Sequence, residues 1–298
     1  MRTESTESII WRPVGAVNPL TLVEARNQAH HALQLPAMAA SAFVPFCENY
    51  SHLSFGWADQ YSAFVSHNIL TDQGIVQFGI RLVDLTLLIL LDGTIHDSYP
   101  MHGQTNQTAR IWLLGKAEEL GLPIAKFPDH SPSGIPDHPV ASGAAYNLES
   151  HAQAMAEFCN YYGNANLVLT SVREAYLDVH PGPNEIRMWP HHFDISVLVT
   201  LEEGDSETAK AVGFGFEPGD QSCEQPYFYS YPWPRDHRPD SLPELAGIGE
   251  WTAPETWLGT WLKGEEIVQI PVAEQHAKVE AYLRDGTEKC RVVALNHP

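Results

Sequence analysis

Phe193-Asp194-Ile195-Ser196-Val197-Leu198-Val199-Thr200-Leu201 and, after a short polar connection, Ala211-Val212-Gly213-Phe214-Gly215-Phe216-Glu217 form the stretch whose period decides the fold. In the first run every odd position is apolar, while the even positions carry Asp194, Ser196 and Thr200. A period of two is that of a β-strand, so the odd set packs on the core and His192, Asp194 and Ser196 project together from the other face. Val212, Phe214 and Phe216 repeat the alternation. Closing the hairpin at Leu201 and Lys210 sets Asp194 opposite Glu217 and Ser196 opposite Gly215; a slip of one residue would bury the polar set. A third run, Tyr227-Phe228-Tyr229-Ser230-Tyr231-Pro232-Trp233, places Tyr227, Tyr229, Tyr231 and Trp233 on one face. Pro232 and Pro234 predict an edge strand, or one that ends at Tyr231.

Outward from this sheet, residues 148–178 place Ala152, Met155, Cys159, Tyr162, Asn166, Leu169, Val172 and Tyr176 at steps of three and four, a nearly continuous apolar stripe that predicts a long helix. Nearer the start, 20–35 predicts a helix opened by Thr21 and Glu24 at capping-box spacing and stopped by Pro36. Strands are expected at 61–65, 75–82, 83–91 and, running into the first hairpin strand, 186–201, with a helix at 105–120 and a last helix from 271 to about 283. Four prolines between 128 and 139 interrupt any regular element. Strands grouped in hairpins, with helices beside them, give an α+β class: antiparallel sheets in two related lobes with packed helices and a long central helix. The expected division is an N-terminal lobe 1–127, a Pro-rich linker 128–147 and a C-terminal lobe 148–298.

The chain has 298 residues, with 37 Asp and Glu against 17 Lys and Arg, a formal charge of -20. Such a surface repels phosphate backbones and anionic lipids, so neither nucleic acid nor membrane is an expected partner; a small-molecule ligand is. Cys47, Cys159, Cys223 and Cys290 are scattered, without a CxxC pair, which argues for reduced thiols and a cytoplasmic location. The longest apolar run, 82–91, is too short to span a bilayer, and the first residues carry no signal-peptide core. No GxGxxG, Walker A or HExxH pattern is present.

Chemistry is concentrated on the polar face of the 193–217 hairpin. His192, Asp194 and Glu217 are the candidate catalytic groups, as general base and acid/base partners or as ligands. Imidazole and carboxylates also suit a divalent transition metal, for which His192, Asp194, Glu217, His191 and His180 are the candidate ligands. Trp189, Tyr229, Tyr231 and Trp233 are the candidate ligand-binding walls, since aromatic rings with polar tips stack on a ligand and still hydrogen-bond. Glycines at 213 and 215 clear the floor for a ligand, the long helix or Trp189. The polar loop Glu48-Asn49-Tyr50-Ser51-His52 faces the same cleft in this reading, while His30 and His31 are surface or packing residues. These groups favour an enzyme acting on a small polar molecule. A noncatalytic small-ligand or carbohydrate-binding module is one alternative and a structural or interaction protein another, because a sheet with one wet face shows the same alternation.

The order of elements resembles a family of bacterial proteins grouped only as a conserved domain of unknown function. The likeness rests on Met188-Trp189-Pro190-His191-His192-Phe193-Asp194-Ile195-Ser196, on Gly213-Phe214-Gly215-Phe216-Glu217-Pro218-Gly219 and on Tyr227-Phe228-Tyr229-Ser230-Tyr231-Pro232. His191 and His192 stand where that family often has Gly and Ser. The resemblance implies the layout of long helix and strands and implies no activity.

Overall fold

Helix α1 (Val23–Phe43) is the first α-helix of the fold, and its composition explains its place. Ala25, Ala29, Ala32, Ala39 and Ala40 are fully buried, their small side chains letting other elements approach closely. The helix runs through Pro36 to Phe43, correcting the expected stop. A proline here removes one backbone donor, but burial of the surrounding Ala-rich turn outweighs that loss. The computed structural model describes residues 10–129, 135–235, 239, 241–252 and 257–296.

The first sheet contains β1 (Gly56–Ala58), β2 (Ala63–Val65), β3 (Ile69–Thr71), β4 (Gly74–Arg81), β5 (Thr86–Leu91) and β6 (Thr94–Pro100), in the order β1-β2-β4-β5-β6 with β3 also on β4. Helix α2 (Asn106–Glu119) follows, closed at its start by Thr105 and Thr108 in a reciprocal cap. Helix α3 (Ala152–Glu174) then leads to the second sheet: β7 (Gly182–Pro183), β8 (Arg187–Met188), β9 (Ile195–Thr200), β10 (Ala211–Glu217), β11 (Tyr227–Trp233), β12 (Glu250–Trp251) and β13 (Thr260–Lys263). Its order is β12-β13-β11-β10-β9-β7, with β8 also on β9. The chain ends in α4 (Gly264–Ile267) and α5 (Val272–Leu295), the latter one helical run well beyond the expected 283.

Every strand pair is antiparallel, so the α+β class with two antiparallel sheets and a long helix holds. The β9–β10 register is the one expected, with Ser196 opposite Gly215 and Ile195 opposite Phe216. Two strand readings need correction. The run before β9 is not one continuous strand: β8 and β9 pair with each other, and residues 189–194 form the turn between them. Pro190 cannot donate to a ladder, and Phe193 adopts a left-handed φ of 69°, which turns the chain. Nor is β11 an edge, because β13 pairs with its first four residues; Pro232 lies beyond that pairing, where no donor is missed.

Alternation along the second sheet separates its two faces. Phe214, Phe216 and Phe228 are fully buried, and α3 and α5 pack on β9, β10 and β11. Helix α3 is buried on a wider arc than one stripe, because α1 and α5 also contact it. Buried side chains from both sheets and from α1, α2, α3 and α5 form one continuous cluster. Each fully buried large apolar side chain adds about 1.5–3 kcal/mol, so the halves share their main source of stability. The opposite face of the second sheet, with Gly213, Gly215, Glu217, Tyr229 and Tyr231, is left for the site. Within 128–147, residues 130–134 lie outside the described residues; beyond them Val140 is buried and His138 Nε2 lies 3.1 Å from Glu24.

Candidate functional site

Strand pairing builds the floor. Across β10 and β11, Gly213 faces Tyr231, Gly215 faces Tyr229 and Glu217 faces Tyr227. The absent side chains at 213 and 215 are filled by the facing tyrosine rings. A Cβ on Gly215 would lie 2.6 Å from the Tyr229 Oη, and one on Gly213 would collide with the Tyr231 ring. The glycines therefore make room for aromatic side chains of the chain itself, not for the long helix or Trp189. Lying across Gly215, Tyr229 reaches the far side of β10 and donates from Oη to Asp194 Oδ2 at 2.6 Å.

Above this floor lies a cavity of about 790 Å³, in the range usual for small-molecule sites. Asp194, Glu217 and Asp220 supply its carboxyl groups, and His191 and His192 line it from the 189–194 turn. Trp189, Tyr227, Tyr229, Tyr231 and Trp257 supply the aromatic walls. Asn49, Tyr50 and Leu53, from the loop between α1 and β1, complete the lining as the sequence pattern suggests. The three candidate catalytic groups thus meet in one hollow.

The three carboxyl groups are not equivalent. Asp220 is held on all sides: Oδ1 accepts from the backbone N–H groups of Ser222 and Cys223 at 2.7 and 2.9 Å, and Oδ2 accepts from Tyr227 Oη at 3.2 Å. Asp194 and Glu217 are each 8 % exposed, and Asp194 Oδ1 and Glu217 Oε1 have no hydrogen-bond partner among the described residues. Burial raises the Asp194 carboxyl above its ordinary range, against the Tyr229 hydrogen bond, the nearby His192 and a hydrogen bond from Ser196. Glu217 is pushed well above its ordinary range, first by burial and then by the charges of Asp194 and Asp220, with Arg26 opposing. Arg26 reaches in from α1, its Nη1 donating to the Glu224 carbonyl at 2.8 Å. Both carboxyls are thus raised by burial, and the charge of Asp194 adds to the rise at Glu217.

The 189–194 turn is tied to the helices behind it. His30 Nε2 donates to the Pro190 carbonyl at 2.8 Å, and Gln34 Nε2 donates to the same oxygen at 3.0 Å. Tyr162 Oη donates to the Phe193 carbonyl, while the Phe193 ring stacks on His30 at 5.0 Å. Burial drives His30 down to about 4, so it is neutral near pH 7 and its Nε2 keeps the proton. His30 and His31 are both buried, which removes the surface alternative.

Two expected participants lie elsewhere. Trp233 is not part of the cavity lining; its Nε1 donates to the Ser206 carbonyl at 3.1 Å. His180 does not line it either, because the following chain enters β7 beside β9. Among the described residues no group of three or more His, Cys, Asp or Glu side chains is placed to hold a metal ion, so the set His180, His191, His192, Asp194 and Glu217 does not assemble as a metal centre. Sequence reading missed Asp220, Arg235, Trp257 and Arg26. Arg26 alone carried a signal, as a lone cation among apolar helix positions. The others sit in irregular segments where no period assigns a face.

No helix among the described residues is long and apolar enough to cross a membrane. Compared with known proteins, the chain matches no family model, no curated protein and no solved structure.

Proposed function

We propose that the chain is an enzyme acting on a small polar molecule, with Asp194 and Glu217 as its acid–base pair. The observation that carries this reading is a pair of buried carboxyl groups in one aromatic-walled cavity, each with an oxygen that no group among the described residues engages. Leaving such atoms unpartnered costs about 1–3 kcal/mol each, a cost that persists naturally where a ligand supplies the partner. Burial raises both carboxyls, so the pair can hold and transfer a proton, and the Tyr229 hydroxyl fixes Asp194 through Oδ2. His192 sits at the rim and orients the ligand. No step is assigned to a metal, since the donor groups are not arranged for one.

The test is a turnover screen of small polar amines, amides, esters and glycosides with wild type and with the near-isosteric D194N and E217Q. Turnover lost by ~10²-fold or more in both variants supports the pair. Binding without turnover of any compound instead assigns the cavity to a noncatalytic ligand-binding module.

A further inference from the structure

Beyond the acid–base reading, and resting on it for the location of the site, the cavity's walls define the charge of what enters. Its deep groups are acidic: among the described residues Asp194 and Glu217 each leave one oxygen unengaged, while Asp220 has its oxygens hydrogen-bonded. An anion placed against them is repelled, and a neutral hydroxyl offers each a single weaker donor. The walls accept cations as well. The chain's own Arg235 guanidinium lies 4.2 Å from the centre of the Tyr231 ring, a cation–π contact on the cavity wall. Tyr229 stacks near Tyr231 at 6.1 Å, and Trp257 meets Tyr229 edge-on at 6.4 Å, so ring surface flanks the carboxyl pair on more than one side.

We propose that the ligand is a small organic cation, a protonated amine or guanidine whose N–H groups engage Asp194 Oδ1 and Glu217 Oε1 between the rings of Tyr229, Tyr231 and Trp257. The groups facing Glu217 are Asp194 from the turn before β9, Asp220 from the loop after β10, Arg26 from α1 and Tyr162 from α3, with Tyr227 and Tyr229 from β11; His192 lies near Asp194. Entry of a cation into this set favours the ionised carboxylates. Binding is therefore accompanied by proton release and strengthens as pH rises, by up to ~tenfold per pH unit for one proton released.

Isothermal titration of the full chain with 1,4-diaminobutane, 1,4-butanediol, succinate and glucose tests this, at pH 5.5 and 8 and in buffers of different ionisation enthalpy. The expected result is saturable binding of the diamine alone, with buffer-dependent heat that reports released protons, and an affinity at least ~tenfold lower in D194N and in E217Q. The proton-release measurement needs no variant, so it stands even where a substitution fails to fold. Diamine binding that E217Q leaves unchanged marks attraction to the acidic exterior and overturns the proposal. Glu217-dependent binding of butanediol or glucose in place of the diamine also overturns it but leaves the acid–base pair in place. Absence of binding by every probe overturns the cation assignment, and the turnover screen then judges the pair separately.

Discussion

Individual side chains of the site are under constraints that can be read one at a time. Tyr229 is the main partner of a buried carboxylate, so Y229F leaves Asp194 Oδ2 short of its donor and costs about 1–3 kcal/mol in urea unfolding, with the Asp194 carboxyl shifted further upward. Gly215 is constrained from two sides. The added methyl of G215A would lie 2.6 Å from both the Ile195 carbonyl and the Tyr229 hydroxyl, and the variant is expected to lose about 1–3 kcal/mol while displacing Tyr229 from Asp194. Glu217 gives a pH signature. Its carboxyl is raised in the folded chain above its unfolded value, so between those two values the folded state holds the additional proton and stability falls as pH rises. E217Q removes this loss; urea unfolding from pH 4 to 8 should show the variant gaining on wild type toward the alkaline end.

At the scale of elements, the decisive object is the 189–194 turn. Its sequence reads as strand because Phe193 extends the apolar alternation backwards, yet Pro190 and the left-handed Phe193 fold it into a hairpin tip. Two carbonyls of that tip are held by α1 and α3 through His30, Gln34 and Tyr162. Removing both donors to Pro190 in H30A/Q34A leaves a buried carbonyl unpaired. Amide exchange at His192 and Phe193, whose N–H groups donate to the Trp189 carbonyl, should accelerate at least ~tenfold, with β4 and β5 unaffected. His30 also sets an acid limit. With its folded value near 4 against 6.5 unfolded, its contribution is complete above 6.5 and is lost as pH falls toward 4. The loss amounts to up to about 3 kcal/mol, and H30Q should flatten that part of the acid denaturation curve.

For the whole molecule, the continuous buried cluster makes the two halves interdependent. Helix α1 packs on β4 of the first sheet and on α3, and its side chains hold the turn before β9. A fragment of residues 148–298 loses those partners and is expected to show no cooperative thermal transition, whereas the full chain melts in one; calorimetry distinguishes the cases. The class, the long helix, the β9–β10 register and the placing of Asp194 and Glu217 on one face were all legible in the sequence, because side-chain period and hairpin closure are local properties. The proline in α1 misled, because only the burial of that helix shows that packing outweighs one missing hydrogen bond. The hairpin tip misled for a related reason: alternation does not distinguish a strand from a turn clamped by distant donors. What tertiary structure alone decided was the hollow itself. Tyrosines from β11 fill the gaps at Gly213 and Gly215, a loop from before β1 lines the mouth, and the charge of Arg26 from α1 acts on Glu217. Those contacts join residues up to about two hundred positions apart, and no local pattern encodes which of them meet.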